Sequence, residues 1–487
     1  MLSKLKQLTK ETALYGISTI LGRFLNFLLI PLYTNLFSEA DVGIYGTVYS
    51  YIAFFQLVMI YGMDVAYLKY ASGLEKEKLR AVFGTVFNTI VISSLVILGI
   101  AFLFANPLAE FIDLKGEYSY LVYSVILILF FDTLTNIPFV HLRLKRKPLR
   151  FAVIRTLNIC LNLSLNIILI IGYDFGIEAI FYSNLVASIL NLILLLPVIF
   201  ENYQFSLNLD SLKQLLKFGL PYLPASVAIM MIRVLDRPIL NQMVDADAVG
   251  IYVANYKLGI FMMLFVAMFQ YAWQPFFLDN SKESDAKEMF GRILTYFLIV
   301  GSFILVGLSL FINDIVQFEL PGGKHLIGET FWSGTAIVPV VLLGYLFNGM
   351  YVNFTVGIFI EEKTRYMPFI TALGAVINIV TNLLLIPQIG IMGAAVAMLA
   401  SYFIMTIAIF VVSQKFYRIP YEYLKIAGIF ASVAIVGFLY YYGESLQIIT
   451  ASHKIGLLVL FTGLLFGLRV VNLRELKTII NLFVKRK

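Results

Sequence analysis

The sequence predicts an all-α, polytopic membrane protein of about fourteen transmembrane helices, and three observations predict it. Of the 487 residues, 60% are hydrophobic and only 13% charged, far beyond the roughly half-apolar content of soluble domains. Apolar stretches of spanning length recur along the whole chain. Lysines and arginines alternate between the loops that separate them.

With about 20 residues needed to cross the hydrocarbon core, spans fall near 12–33, 42–63, 82–104, 119–138, 151–172, 178–200 and 218–237. Seven more follow near 248–271, 290–311, 333–357, 366–386, 391–413, 424–442 and 455–471. The first span is too long for a signal-peptide core and has no small-residue cleavage site behind it, so it stays as a membrane helix. Ahead of it, Lys4, Lys6 and Lys10 among Leu2, Leu5 and Leu8 read equally as an amphipathic surface helix or a frayed basic tail. An even number of spans puts both termini on one side.

Of the 36 cationic residues, 28 fall at the termini and in loops assigned to that side, only Lys115, Lys324 and Lys454 fall in loops on the other, and five lie within the membrane. This alternation predicts cytoplasmic termini, with the strongest signal in His141-Leu142-Arg143-Leu144-Lys145-Arg146-Lys147. The net charge of +7 is thereby a topology signal with secondary attraction for anionic lipid, and nucleic acid is not needed to explain it. No loop offers a phosphate-cradling glycine motif, a nucleophile elbow or room for a catalytic domain, so the chain does not read as an enzyme. Cys160 is the sole cysteine, and His141, His325 and His453 are far apart in expected loops. Neither a disulfide framework, a metal centre nor another cofactor is expected.

The chain also repeats itself. Pro31 followed by Val42-Gly43-Ile44-Tyr45 recurs as Pro238 followed by Val249-Gly250-Ile251-Tyr252, an offset of 207 that Tyr15 and Tyr222, Tyr49 and Tyr256, and Phe54 and Phe261 also keep. Asn162-x3-Asn166 before Gly176-Ile177 is echoed by Asn378-x3-Asn382 before Gly390-Ile391. A unit of six spans enters the membrane from the same side in both copies, which predicts two lobes related by an axis along the membrane normal. The expected division is 1–206 for spans 1–6, 207–416 for spans 7–12, and 417–487 for two extra helices and a basic tail.

Arg23, Arg155, Arg233, Arg237 and Lys257 are the five cations in the membrane. Each costs about 2.5–3.5 kcal/mol at a helix centre, so a chain that keeps them uses them on something anionic. Arg23 lies mid-span. Arg233 and Arg237 share a face of span 7, where Asp236 is placed to pair with Arg233. Arg155 and Arg237, nearer span ends, can also snorkel to the interface. Asp132 and Asp236 are the carboxylates placed to couple transport to a proton or sodium ion, or to serve as counter-charges. Asn158, Asn162 and Asn166 repeat every four residues down span 5, for helix packing or contact with sugar hydroxyls. Pro31, Pro221, Pro224 and Pro238 predict kinks in spans 1 and 7. Guanidinium and ammonium groups in a cavity suit a phosphate or pyrophosphate. These residues imply a transporter whose cationic cavity alternates between the two sides.

Gly22-Arg23-Phe24 leading to Pro31-Leu32-Tyr33 and Val42-Gly43-Ile44-Tyr45-Gly46 resembles the opening of bacterial polysaccharide flippases, the Wzx or O-antigen exporter type of the multidrug/oligosaccharidyl-lipid/polysaccharide (MOP) superfamily. Leu235-Asp236-Arg237, Val249-Gly250-Ile251-Tyr252 and Trp273-Gln274-Pro275-Phe276 are similar to the family's seventh and eighth helices. The resemblance runs over essentially the whole chain. It implies translocation of an undecaprenyl-pyrophosphate-linked oligosaccharide, a repeat unit of O-antigen (lipopolysaccharide), capsule or exopolysaccharide, across the bacterial inner membrane, alongside polysaccharide polymerase machinery. The family's cationic lumen carries over best to Arg23, Arg233 and Lys257. Two extra helices beside a groove for the lipid tail, as in related lipid II flippases, would be spans 13 and 14. The competing readings are a drug/cation antiporter of the multidrug and toxin extrusion branch, a scramblase without sugar specificity, and a membrane-embedded polysaccharide polymerase or ligase. The antiporter calls for an acidic or aromatic cavity, and the enzyme for a large outer loop.

Overall fold

The computed structural model describes residues 22–114 and 116–471. The segment expected on the membrane surface at 1–11, the start of span 1 and the basic tail beyond 471 lie outside these residues. Among the described residues, twelve helices are long and apolar enough to cross a membrane. They are spans 2 (Glu39–Ile60), 3 (Lys76–Leu103), 4 (Leu121–Leu144), 5 (Pro148–Gly172), 6 (Glu178–Asn202) and 7 (Leu209–Val234), followed by spans 8 (Ala246–Asn280), 9 (Ala286–Val316), 10 (Glu329–Ile360), 11 (Thr364–Ile389), 12 (Ile391–Phe416) and 13 (Tyr423–Ser445). Span 14 is the shorter apolar helix Ala451–Gly467, and span 1 is described from residue 22 to the end of its last segment, Ile30–Leu36. The chain is therefore an all-α, multi-pass membrane protein. Its only strands among the described residues form a two-residue hairpin, Glu319–Leu320 with Lys324–His325, between spans 9 and 10.

Several helices outrun their expected ends because polar residues carry the last turns beyond the apolar window. Span 7 is the clearest case. Its first stretch, Leu209–Gly219, is an amphipathic linker helix capped by the Asn208 side chain, which accepts from Ser211 N. Leu212, Leu215, Leu216 and Phe218 pack on Met63, Ala66 and Tyr67 of the short helix Met63–Ala71 between spans 2 and 3, and the Lys69 ammonium sits 3.7 Å above the Phe218 ring. His141, expected in a loop, is instead buried in the last turns of span 4, with Nδ1 2.6 Å from the Tyr67 hydroxyl. An aromatic partner and a hydrogen bond satisfy the imidazole, so the helix continues past it.

The 207-residue repeat is visible in the backbone. Ser38 caps span 2 by accepting from Asp41 N, and its counterpart Asp245 caps span 8 by accepting from Ala248 N. Span 1 breaks at Leu28–Leu29, before Pro31, and span 7 breaks at Leu235, before Pro238. Proline lacks the amide hydrogen for an i to i−4 bond, so both helices bend at corresponding places. The asparagine echo, at an offset of 216, keeps its contact too: Asn166 Nδ2 donates to Asn162 Oδ1 at 3.2 Å, and Asn382 Nδ2 to Asn378 Oδ1 at 3.0 Å.

Spans 2 and 8 cross where they begin, at the cation-poor end of the molecule. A Cβ on Gly43 would lie 1.8 Å from the Ala246 carbonyl oxygen, and one on Gly250 would lie 1.9 Å from that of Glu39. Ala246 is the repeat counterpart of Glu39, so the contact is reciprocal, as a two-fold axis requires. Beside it, Asn35 Nδ2 donates to the His325 carbonyl at 2.7 Å, His325 N donates back to Asn35 Oδ1 at 3.2 Å, and Gly328 N donates to Thr34 Oγ1 at 3.0 Å. Contacts between the two halves of the chain thus close the cation-poor end.

Candidate functional site: three joined cavities around Arg23

A cavity of about 740 Å³ lies in the second half. It is lined by Arg23 and Arg233, a tyrosine wall of Tyr256, Tyr345 and Tyr402, and Gln270, Gln274 and Asp279 along span 8. A second cavity of about 510 Å³ lies in the first half, lined by Gln56 and Asp64 from spans 2 and 2–3, Asp132 and Asn136 from span 4, Arg155, Asn158 and Asn162 from span 5, and Asn184, Ser188 and Asn191 from span 6. A third, of about 190 Å³, holds Lys257 and shares Arg23 and Tyr256 with the larger cavity and Asn26 with the first-half cavity. Span 2 runs from the closed end through Gln56 toward Asp64, and span 8 runs from it through Met263 toward Asp279. Both large cavities therefore extend away from the closed end toward the cation-rich end.

The repeat explains which residues face these spaces. Asn26, Gln56, Ile60 and Asp64 line the first-half cavity, and their counterparts Arg233, Met263, Ala267 and Tyr271 line the second-half cavity. Arg23 and its counterpart Met230 cross over, each lining the cavity of the opposite half. The backbone pattern is kept while the chemistry of the lining differs.

Arg23, Arg233 and Lys257 thus converge on joined cavities. Lys257 occupies a single tighter turn, Lys257–Gly259, that interrupts span 8. Its Nζ is 3.4 Å from the Tyr45 hydroxyl and 5.0 Å from the centre of that ring, contacts that steer an ammonium without neutralising it. Arg233 sits beside the Tyr402 hydroxyl.

Arg237 behaves differently from the expectation that placed it with the substrate-binding cations. It lines none of the three cavities. Its Nη1 is 2.9 Å from Asp236 Oδ1 and 2.6 Å from the Arg233 carbonyl oxygen, and its guanidinium lies 4.8 Å from the Tyr256 ring centre. The expected Arg233–Asp236 pair is therefore replaced by Arg237–Asp236. The cause is local: Asp236 Oδ1 takes the backbone N–H of Arg237 at 3.0 Å, leaving the Arg233 carbonyl free, and the Arg237 side chain fills it at the break before Pro238. Tyr252 donates to the other oxygen of Asp236. This buried cluster supports the tyrosine wall from behind, through Tyr256, whose hydroxyl is 2.9 Å from that of Tyr345. Asp236, named as a coupling carboxylate, has both oxygens engaged here.

Arg155 faces the first-half cavity, with its guanidinium 4.1 Å from the Phe139 ring centre. Asp132 shares that cavity and lies beside Ser188, whose hydroxyl donates to Asn184 Oδ1 at 3.3 Å. Asn158 and Asn166 do join helices, as Asn158 Nδ2 donates to the Ala187 carbonyl at 2.7 Å and Tyr33 donates to Asn166 Oδ1 at 2.8 Å, yet Asn158 and Asn162 also line the cavity. Asp64 was not among the sequence-derived site residues. Its position at the end of span 2 resembled an interface, and only the repeat register with Tyr271 signals a lining position. The tyrosine wall was missed too, because 29 tyrosines in an apolar chain carry no spacing that marks three of them.

Spans 2 and 8 thus close one end of the molecule, and the large cavities lie toward the other. The described helices resemble the lipid II flippase MurJ in an inward closed conformation, with a TM-score of 0.76 at 16% identity over 95% of this chain and 99% of that one. They also resemble a multidrug resistance MATE family transporter of the MOP superfamily in an inward-facing conformation, with a TM-score of 0.64 at 13% identity over 83% and 94% of the two chains. Residues 8–281 match the family described as Polysaccharide biosynthesis protein. The match covers more than half of the chain, which belongs to that family. The uncharacterized membrane protein MJ1068 of Methanocaldococcus jannaschii is 23% identical across 98% of this chain and 99% of its own length.

Proposed function

We propose that the protein is a flippase that carries a prenyl-pyrophosphate-linked oligosaccharide, an O-antigen, capsule or exopolysaccharide repeat unit on undecaprenyl pyrophosphate, across the bacterial inner membrane by alternating access. The observation that carries this reading is the convergence of Arg23, Arg233 and Lys257 on joined cavities that extend toward the cation-rich end. A pyrophosphate takes bidentate guanidinium bonds and a lysine point charge, and the low dielectric of a membrane cavity strengthens both. With the cation-rich end in the cytoplasm, substrate enters from the inner leaflet. Rocking of the halves then breaks the Gly43–Gly250 crossing and opens the opposite end, while the prenyl tail stays in lipid. Substrate drives this switch only by binding the two states unequally. Asp132 is the carboxylate of this scheme able to exchange a proton or sodium ion. A polysaccharide polymerase on the outer side is the partner this product calls for. The drug-antiporter reading shares the fold and would use the tyrosine wall and the Asp64 and Asp132 carboxylates of the first-half cavity, but Arg23, Arg233 and Lys257 outnumber Asp279 around the second-half cavity and its annex, which disfavours a cationic cargo there.

The test is leaflet translocation of a pyrophosphate-linked oligosaccharide in proteoliposomes by wild type, Arg23→Ala and Arg233→Ala, with and without proton or sodium gradients. Translocation by wild type and its loss in both variants at normal insertion is expected. Full transport by Arg23→Ala sinks the cationic site. Gradient dependence that disappears in Asp132→Asn assigns coupling to that residue.

A further inference from the structure

We infer that the first-half cavity is the glycan chamber of this transporter, taking the neutral, polyhydroxylated sugars while the pyrophosphate stays with Arg23, Arg233 and Lys257. The inference rests on the proposed pyrophosphate site and adds a second, chemically distinct one.

Charge separates the two spaces. The second-half cavity and its annex hold Arg23, Arg233 and Lys257 against Asp279. The first-half cavity holds Arg155 against Asp64 and Asp132, so it has no surplus cation to hold a pyrophosphate. What remains in the first half is amide. Asn26, Gln56, Asn136, Asn158, Asn162 and Asn191 all line it. Each amide offers two donors and an acceptor with two lone pairs, which matches a sugar hydroxyl that both donates and accepts. Helix contacts consume only part of this capacity. Among the described residues, Asn26 and Gln56 make no hydrogen bond, and Asn158 uses its amide nitrogen alone, on the Ala187 carbonyl. Unpaired polar groups within a membrane protein are costly, so a lining this rich in them points to a hydroxylated occupant.

The repeat sharpens the argument. At equivalent positions, Asn26 stands where the second half has Arg233, Gln56 where it has Met263, and Asp64 where it has Tyr271. Helix packing alone does not require this difference, since the same register serves both halves. The size also fits: about 510 Å³ lies within the roughly 300–1,000 Å³ of pockets that enclose small ligands. Asn26 belongs to both the chamber and the annex that holds Lys257, so sugars entering the chamber remain continuous with a pyrophosphate held at Arg23.

A photo-crosslinking residue placed singly at Gln56, Asn162, Met263 or Gln274 of the full chain, in the cells that make it, tests this by mass spectrometry of the adducts. Adducts whose fragmentation places the new bond on a sugar are expected at Gln56 and Asn162, and adducts bonded through the pyrophosphate or prenyl part at Met263 and Gln274. Sugar adducts confined to Met263 and Gln274, or absent from all four positions, overturn the chamber. A sugar adduct at Gln56 whose lipid lacks pyrophosphate sinks the proposed function and leaves the chamber standing. In proteoliposomes, Asn26→Leu/Gln56→Leu is expected to lower the ratio of glycan-bearing to sugar-free prenyl pyrophosphate translocated by about tenfold. An unchanged ratio overturns the inference.

Discussion

The two large cavities are built on the same register and lined with different chemistry. Ser38 and Asp245, Gly43 and Gly250, and Pro31 and Pro238 keep the caps, the crossing and the kinks alike in both halves. Arg233 against Asn26 and Met263 against Gln56 make one cavity cationic and aromatic and the other rich in amides. Residues that set backbone geometry are thus tied to the repeat, while residues that meet the contents of the cavity are free of it.

The largest effect expected from breaking this contrast lies behind the tyrosine wall, in a feature only the second half has. Asp236→Leu leaves Arg237 buried and unpaired, which costs about 3–5 kcal/mol. Thermal unfolding of the purified protein should show a large drop, and Asp236→Leu/Arg237→Met should recover most of it. Equal midpoints for the single and double variants would remove the pair from its supporting role.

Where the halves are alike, matched changes should match. Gly43→Ala and Gly250→Ala each drive a methyl into the facing carbonyl, an overpacking cost of about 1–3 kcal/mol. Both should weaken closure of the cation-poor end by similar amounts, read as reduced disulfide trapping between Val42→Cys and Val249→Cys. A large effect at one glycine alone would break the two-fold description.

An exchange tests the linings directly. Asn26→Arg/Arg233→Asn keeps the number of cations but moves one to the first half. Translocation should stay at least about tenfold below wild type, equivalent to about 1.4 kcal/mol. Wild-type transport by the exchanged protein would make the two cavities equivalent and end the contrast.

The smallest effect concerns the hydrogen bonds between Asn35 and the hairpin, which join the halves at one of two repeat-related places. Asn35→Ala removes both hydrogen bonds to His325, each contributing about 0.5–1.5 kcal/mol. It should raise solvent labelling at the cation-poor end, whereas Gln242→Ala at the repeat counterpart should not. Equal labelling in both variants would show that the hairpin between spans 9 and 10 does not hold the halves together.

Much of this was legible before any coordinates. Span number follows from apolar length, and the repeat from Pro31, Gly43 and their counterparts, because both depend on composition and local spacing. Arg23, Arg233 and Lys257 stood out because a cation in lipid is costly wherever it packs. What could not be read depended on a neighbour. Whether Asp236 pairs with Arg233 or Arg237 turns on which carbonyl the break before Pro238 leaves open. His141 looked like a loop residue until Tyr67 supplied its partner. The linker helix carries its apolar stripe at Leu212, Leu215 and Leu216, but in a chain this hydrophobic the stripe merges with the span that follows.

The reciprocal crossing of Gly43 and Gly250 is the contact a symmetric pair of separate subunits would make at its axis. Such a pair has one gene and must carry the same lining twice, so a change that suits one ligand group is imposed on both sides. Joining the two copies in a single polypeptide lifts that constraint: the axis stays frozen in two glycines that neither half can replace alone, and each flank becomes free to specialise for a different part of one large, chemically uneven cargo.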